Sequence, residues 1–93
     1  MLEVVDNPEA GRFDALLDGA RVGEVTYVLD DDKMVICHTG IRRQHGGKGY
    51  GTELVCKVLD AARARGLSVV PECPFVSAVV ARHPGYSDIV EEL

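Results

Sequence analysis

The stretch "GGKGYGT", residues 46–52, gives the chain its most distinctive feature, and we call it the glycine loop. Four of its seven residues are glycine, basic residues stand just before it, and a run with helical spacing follows it. Glycine at the start of a helix lowers stability, because it loses more conformational entropy on folding than any other residue. The glycines therefore predict a strand-to-helix turn whose backbone has a function that compensates for the lost stability.

The segment after the glycine loop has the pattern of an amphipathic helix. Its apolar positions follow the three- and four-residue intervals of one helical face, at Leu54, Val55, Val58, Leu59 and Ala62. On the opposite face, Glu53 and Lys57 form an i,i+4 pair in the favoured order. Gly66 is suited to the C-terminal cap, where a left-handed residue often ends a helix. The spacing predicts a helix over residues 48–65.

The half of the chain before the glycine loop has the pattern of β-strands. Four short segments, separated by turn dipeptides such as Asp18-Gly19, are predicted as strands at residues 2–7, 12–18, 21–30 and 33–41. In the fourth, alternation places Met34, Ile36 and His38 on one face. Consecutive strands joined by short turns predict an antiparallel meander.

The remaining segments complete an α+β fold. Residues 67–71 read as a short buried strand, residues 75–83 as a helix, and residues 86–93 as a last helical turn or two with Ser87 as N-cap. The helix between the fourth and fifth strands makes a crossover, so these two strands should run parallel. We predict a mostly antiparallel sheet with this one parallel pair and a C-terminal helix, in a single domain of residues 1–93.

Composition limits the class of protein. The 93 residues carry a net charge of −5, which argues against a nucleic-acid partner. The first residues lack the pattern of a signal peptide, and no apolar run approaches the ~18 residues that span a bilayer. The three cysteines have no disulfide-framework spacing, which predicts reduced thiols and a cytoplasmic protein. The three histidines lie far apart, so no metal site is expected.

A strand, a glycine-rich turn and a helix form the geometry of an anion site. The first amides of a helix have no partner inside the helix, and glycines let them approach phosphate oxygens closely. The loop does not match the mononucleotide pattern GxxxxGK[ST] or the dinucleotide pattern GxGxxG. One alternative is that the glycines only shape a tight turn. Four glycines beside Arg42 and Arg43 favour a phosphate-bearing ligand.

The loop and three further segments resemble a known family. "GGKGYG" after a meander strand looks like the pyrophosphate loop of the GNAT N-acetyltransferases, Arg/Gln-x-x-Gly-x-Gly/Ala. The segments "HTGI", "PECPFV" and "RHPGYSDIV" in this order resemble a subfamily of very small GNAT-like proteins. The resemblance covers nearly all of residues 12–90. It implies that the protein binds acetyl-CoA, through Thr39, Gly40, Ile41, Gly46, Gly47, Lys48, Gly49, Tyr50, Gly51, Thr52 and Phe75.

The chain departs from the family pattern at three positions. Gly46 stands where the loop usually begins with arginine or glutamine, so Lys48 or Arg43 is expected to replace the missing phosphate contact. Gly40 stands where small GNAT-like proteins often have a glutamate that serves as general base. Ala81 stands where many GNAT enzymes have a tyrosine that serves as general acid. Both groups of the usual acid–base mechanism are therefore absent from their usual positions.

Two other residues are candidates for the chemistry. His38, near the end of the fourth strand, could serve as the base, because histidine is the residue type whose unperturbed side chain exchanges a proton near neutral pH. Cys73, after the fifth strand and near a helix N-terminus, could carry the acetyl group as a thioester. The alternatives are a histidine that bonds its sheet neighbour and a cysteine that packs as a small hydrophobe. Cys37 and Cys56 are expected to pack in the core.

Three functions agree with these features. The first is an N-acetyltransferase that transfers acetyl from acetyl-CoA to an unknown amine or lysine. The second is a non-catalytic CoA-binding or interaction module, which the missing acid and base would suit. The third is a binder of nucleotide phosphates, for which ATP or NAD would compete with CoA.

Overall fold

The first half of the chain folds as the predicted antiparallel meander. The computed structural model describes residues 2–91, and its first four strands are β1 (Leu2–Asn7), β2 (Arg12–Leu17), β3 (Ala20–Asp30) and β4 (Lys33–Ile41). Each pairs with the next in antiparallel register. The β2–β3 turn contains Asp18 and Gly19, both with positive φ (51° and 84°), as a tight hairpin turn requires.

A helix after the glycine loop carries the chain to the fifth strand. The helix α1 spans Tyr50–Ala64, and Gly66 follows it in the left-handed conformation (φ 71°) while the Leu67 amide donates to the carbonyl oxygen of Ala62. Strand β5 (Ser68–Pro71) then pairs with β4 in parallel, which gives the sheet order β1-β2-β3-β4-β5. Helix α2 (Pro74–Arg82) follows. The predicted α+β class and the crossover connection are confirmed.

Both helices pack on the same face of the sheet, which we call the covered face. Helix α1 contributes its whole predicted apolar stripe to the core, and α2 adds Val76 and Val79. From the sheet, Val25, Met34 and Ile36 are fully buried in the same cluster. The molecule measures 33 × 30 × 19 Å along its principal axes, and the short dimension suits one sheet with one helical layer.

The other face of the sheet has no helix above it within residues 2–91, and we call it the open face. Its side chains follow from the register: Val5, Asp14, Glu24 and Gly40 form one row across β1 to β4. Apolar side chains here stay accessible, with Val5 41% exposed and Val28 57% exposed. The two faces of one sheet therefore differ in solvation along their full width.

A β-bulge changes the predicted alternation in β4. Tyr27 pairs with Ile36 and Thr26 pairs with His38, so Cys37 is the extra residue. The bulge turns His38 away from Met34 and Ile36, and the prediction that these three share a face was wrong. Cys37 is exposed, so its expected place in the core was wrong as well. An extra residue reverses a period of two, which is why the pattern failed beyond this point.

The end of the chain also differs from the prediction. Residues 86–93 were expected to be helical, but a short 3₁₀ helix (Pro84–Tyr86) is followed by a turn at residues 87–89 and by an isolated bridge between Val90 and Val69. The Val69 amide donates to Ile89, and the Glu91 amide donates back to Val69. Pairing with the edge of β5 gives these backbone N–H and C=O groups hydrogen-bond partners, and one isolated helical turn would satisfy fewer of them. The last two predicted helical residues, Glu92 and Leu93, lie outside the described residues.

Candidate active site

The candidate site begins where β4 and β5 separate. Their parallel ladder has four pairs, from Lys33 with Ser68 to Ile36 with Pro71. Beyond it, the amides of Glu72 and Cys73 both donate to the carbonyl oxygen of Ile36 at 3.1 Å, and β5 turns away into α2. The rest of β4, residues 37–41, continues without a partner on this side in the described chain. A strand edge therefore faces the gap between β4 and α2.

The glycine loop closes one end of this gap. Gly47 (φ 76°) and Gly49 (φ 81°) are left-handed, and a Cβ on either would meet nothing within 4 Å. Backbone conformation, not crowding, therefore requires glycine here. Gly49 is the N-cap of α1, whose first amides have no acceptor inside the helix. The loop thus presents uncovered backbone at the positive end of a helix dipole, which favours an anion.

A cavity of about 410 Å³ fills the space between the loop, β4 and α2. Most residues predicted to contact the cofactor line it, and the full set is Thr39, Ile41, His45, Gly46, Gly47, Gly49, Tyr50, Gly51, Thr52, Phe75 and Arg82. Gly40 and Lys48 were predicted as well but are absent from the lining. The cavity has the size of a small-molecule site, and a strand edge, a helix N-terminus and an aromatic ring meet in it.

Two lining residues, His45 and Arg82, were not identified from the sequence as cofactor contacts. Arg82 lies in the last turn of α2, seven residues after Phe75, and this spacing of two helical turns could have indicated a shared face. The Nδ1 atom of His45 is buried without a hydrogen-bond partner in the described chain. Arg82 adds a cation to the cavity, whose loop has Gly46 at the position where the resemblance leads one to expect arginine or glutamine.

Phe75 explains a further glycine in the loop. A Cβ on Gly51 would lie 3.0 Å from the Cζ atom of Phe75, which is closer than side chains normally pack. The ring therefore rests on the backbone of the first turn of α1. Phe75 is 38% exposed, so one side of it remains available to a ligand in the cavity.

Cys73 lies on the covered side of the gap. It is the N-cap of α2 and only 6% exposed, and its Sγ lies 3.8 Å from Oγ1 of Thr39. Burial raises the pKa of the thiol, but hydrogen bonds from the Val76 amide, the Thr39 hydroxyl and the Phe75 amide together hold the pKa below its ordinary value. The thiolate, which is the nucleophilic form, therefore forms more readily here than in a free cysteine.

His38 lies on the other side of β4 from Cys73. Its side chain is 63% exposed on the open face, and its Nε2 lies 3.9 Å from Oε2 of Glu24 on β3. Thr39, the next residue, pairs with the buried Val25 and belongs to the covered face. The two candidate catalytic residues are therefore separated by the β4 backbone and do not form a cysteine–histidine pair.

Within residues 2–91, no three His, Cys, Asp or Glu side chains are grouped as metal ligands would be. None of the helices described in this range is long and apolar enough to cross a membrane.

The fold and the cavity define a domain that can hold an extended, phosphate-bearing ligand between a splayed strand edge and a glycine-rich helix N-terminus. The model of the GCN5-related N-acetyl-transferase family matches residues 12–89, and the chain belongs to this family. Acetyl-CoA is the cosubstrate of the family. The uncovered loop amides, Arg82 and the apolar ring of Phe75 are suited to such a ligand.

Solved structures agree with this assignment. A GCN5-like protein from Staphylococcus aureus is 26% identical, with a TM-score of 0.74 over 99% of this chain and 90% of that one. A GNAT family N-acetyltransferase from Escherichia coli in complex with CoA is 19% identical, with a TM-score of 0.60 over 77% of this chain and 47% of that one. N-acetylglutamate synthase from Neisseria gonorrhoeae, complexed with coenzyme A and N-acetyl-glutamate, is 21% identical, with a TM-score of 0.56 over 71% and 18%.

The shares of chain length differ among these structures. The protein spans most of the Staphylococcus chain and less than half of the other two. The two longer proteins, both under 25% identical, show the shared fold alone. No curated protein matches the chain.

Proposed function

We propose that the protein is an acetyl-CoA-dependent N-acetyltransferase that acts on an amine or a lysine side chain. The observation that carries the proposal is the cavity where β4 and β5 separate, which joins a strand edge, an uncovered glycine loop and Phe75. A binding site for a nucleotide alone would not need the free edge of β4. Family membership supports acyl transfer as the class of reaction.

In this proposal different residues of the cavity bind different parts of the acyl donor. Amides of the glycine loop bind the pyrophosphate, with Arg82 as a cation in the cavity lining. The backbone of residues 39–41 pairs with the amide-bearing arm, and Phe75 covers its apolar part. An N–H of this strand then donates to the thioester oxygen, where negative charge develops during attack.

Direct attack by the amine is the simpler route, with His38 as the base. Its imidazole is exposed on the open face, from which an acceptor can approach. A second route runs through Cys73: the thiolate attacks the thioester carbonyl, CoA leaves as a thiolate, and the amine then attacks the acylated cysteine. The lowered pKa of Cys73 and its contact with Thr39 support this route.

A non-catalytic CoA-binding module is the second candidate function. It is favoured by Gly40 and Ala81, which bring no acid or base to the positions where the family resemblance leads one to expect them. The two functions differ in turnover. An enzyme releases free CoA faster when an amine is present, whereas a binding module does not.

Thermal-shift titration with acetyl-CoA, CoA and ATP is the first test. A ligand at 100 times its Kd adds about 2.7 kcal/mol of stability, which is a shift of several degrees in a domain of about this size. We expect acetyl-CoA and CoA to raise the unfolding temperature and ATP to have little effect. No shift at millimolar acetyl-CoA would remove the basis of both functions.

A further inference from the structure

Gly40 leaves a space on the open face of β4, and a carboxylate from the neighbouring strand fills it. Glu24 on β3 pairs with Gly40 in the sheet register. A Cβ on Gly40 would lie 2.5 Å from Oε2 of Glu24 and 3.0 Å from Nε2 of His38. Gly40 is not among the glycines with positive φ, so its backbone does not require glycine. A side chain at position 40 would instead have to displace the Glu24 carboxylate and the His38 imidazole from this space.

The charged neighbours orient this carboxylate. Its Oε1 lies 3.7 Å from Nη1 of Arg21, whereas Oε2 faces Nε2 of His38 at 3.9 Å. Arg21 is shared with Asp14, at 3.6 Å, and Asp14 also accepts a 2.7 Å hydrogen bond from Arg12. Arg12 and Arg21 thus both contact Asp14, and Arg21 also contacts one oxygen of Glu24. The second oxygen of Glu24 lies beside the imidazole, above the bare backbone of β4.

This pair lies directly across the strand from the cavity. Thr39 and Ile41 line the cavity, and Gly40 stands between them. Beyond Ile36, β4 has no β5 partner within residues 2–91. Because no β5 residue in the described chain pairs with this edge of β4, the open face beside the Glu24–His38 pair is continuous around the strand with the gap in which the proposed acyl donor lies. Glu24 is 28% exposed and His38 is 63% exposed, so solvent and an acceptor reach both side chains from the open face.

We propose that Glu24 and His38 form the acceptor site, and that the acceptor is a protonated primary amine on a flexible chain. The inference rests on the proposed acetyltransferase function and names its acceptor chemistry. The Glu24 carboxylate binds the ammonium group by charge-assisted hydrogen bonds. An open sheet face suits an amine at the end of a long side chain or polyamine, because Glu24 and His38 are both partly exposed to solvent there.

The transfer step balances as follows. Neutral His38 takes one proton from the ammonium group at Nε2, and Glu24 stabilises the imidazolium that forms. The nitrogen lone pair then attacks the thioester carbonyl carbon and a C–N bond forms. The C–S bond breaks, and CoA leaves with the electron pair and takes the second proton from nitrogen. The products are the acetylated amine and CoA thiol, and His38 returns its proton to solvent.

Two variants test the carboxylate: one removes its charge, and the other moves it from position 24 to position 40. Glu24→Gln keeps the shape of the side chain but removes its charge, and Glu24→Gly with Gly40→Glu delivers the carboxylate from β4 instead of β3. With acetyl-CoA and either cadaverine or an Nα-acetyl-lysine amide, release of CoA thiol is measured. We expect Glu24→Gln to lower kcat/KM for the amine about 100-fold without changing acetyl-CoA affinity. The exchanged variant should recover at least about tenfold of that loss.

Glu3→Gln is the matched control. It removes one carboxylate from the open face two strands away on β1, and turnover should stay at the wild-type value. Wild-type turnover in Glu24→Gln would overturn the inference, while the acetyltransferase function would stand. A folded exchanged variant with no more activity than Glu24→Gln would overturn it too.

If neither amine is acetylated, nuclear magnetic resonance tests whether the Glu24–His38 pair binds an amine. Cadaverine is titrated into protein saturated with CoA, and resonances of His38 and Gly40 are followed. The inference expects a saturable shift in the wild type that Glu24→Gln weakens at least about tenfold, since the carboxylate provides the charge. No saturable shift in the wild type overturns the acceptor site. Failure of CoA binding, measured separately, counts against the proposed function instead.

Discussion

The two sides of β4 at residues 38–41 differ in how they are built. On the covered side, Thr39 and Ile41 line a cavity with the glycine loop, and Cys73 lies nearly buried beside Thr39. On the open side, Gly40 and the exposed His38 border a carboxylate that belongs to β3. The covered side is formed by segments that follow one another along the chain after β4. The open side depends on a neighbouring strand, so the same four residues contribute to two different kinds of site.

The largest expected effect comes from the glycine loop on the covered side. Gly49→Glu should weaken acetyl-CoA binding at least about 100-fold, because a side chain there blocks the loop amides and repels phosphate. Gly66→Glu is the matched control: it has nearly the same φ, 71° against 81°, and equally open surroundings, but lies at the other end of α1. Calorimetric titration should show near wild-type affinity for Gly66→Glu. Equal losses in both variants would mean that the loop acts only through the stability of α1.

The difference in burial between the two faces can be measured within one strand. Val25 on β3 is fully buried and Val28 is 57% exposed. Val25→Ala should lower the free energy of unfolding by about 2–3 kcal/mol through the cavity that it leaves, and Val28→Ala by about 0.5 kcal/mol or less. Urea denaturation of the two variants tests this. Comparable losses would show that something covers the open face in solution.

Cys73 tests whether the covered side takes part in the chemistry. Cys73→Ala should lower acetyl transfer about tenfold if the acylated cysteine is an intermediate, and should leave acetyl-CoA affinity unchanged. Cys37→Ala is the control, since that thiol is exposed at the bulge. On the cysteine route, mass spectrometry of enzyme quenched with acetyl-CoA shows one added acetyl group in the wild type and none in Cys73→Ala, whereas direct attack gives no acetylated enzyme. Unchanged turnover in Cys73→Ala would assign the reaction to direct attack on the open side.

The smallest expected effect concerns pH. Burial, together with the hydrogen bond to Asp6, raises the pKa of Tyr27 to about 12. The fold favours the neutral phenol, so this stabilisation is complete below the unfolded pKa near 10 and is lost as pH rises toward 12. Between pH 10 and 11 the loss is about 1 kcal/mol for this group. Tyr27→Phe should flatten the fall in unfolding free energy over that interval.

Tyr86 provides a second case of the same effect. Burial, followed by its hydrogen bond to Asp60, also raises the pKa of Tyr86 to about 12. Tyr86→Phe should therefore flatten the same interval, and the double variant should remove both contributions. A slope that neither single variant changes would mean that other groups control alkaline unfolding.

The fold could largely be predicted from the sequence because most of its elements are local. The stripe from Leu54 to Ala62 predicted α1, and the helix begins and ends within two residues of the predicted bounds. Turn residues such as Asp18 and Gly19 fixed the hairpins. The terminal segment failed because its conformation depends on pairing with Val69, which is far away in sequence and leaves no periodic pattern.

The site could be predicted only in part, for the same reason. The glycine loop was recognisable as a contiguous motif, and most of its residues line the cavity. Arg82 reaches that cavity only because α2 turns back beside α1. Lys48, by contrast, lies within the motif between Gly47 and Gly49 but does not line the cavity. Residue type and spacing indicate what a loop can bind but not which distant side chains complete the cavity.

What the sequence determined by itself is the order of strands and helices and the crossover between β4 and β5. What only the tertiary structure decided is which side of β4 each residue faces. The bulge at Cys37 reverses the alternation, so that His38 joins Glu24 on the open face and Thr39 joins Cys73 on the covered face. A strand's period is read within one segment, but a bulge is fixed by the register with its neighbour.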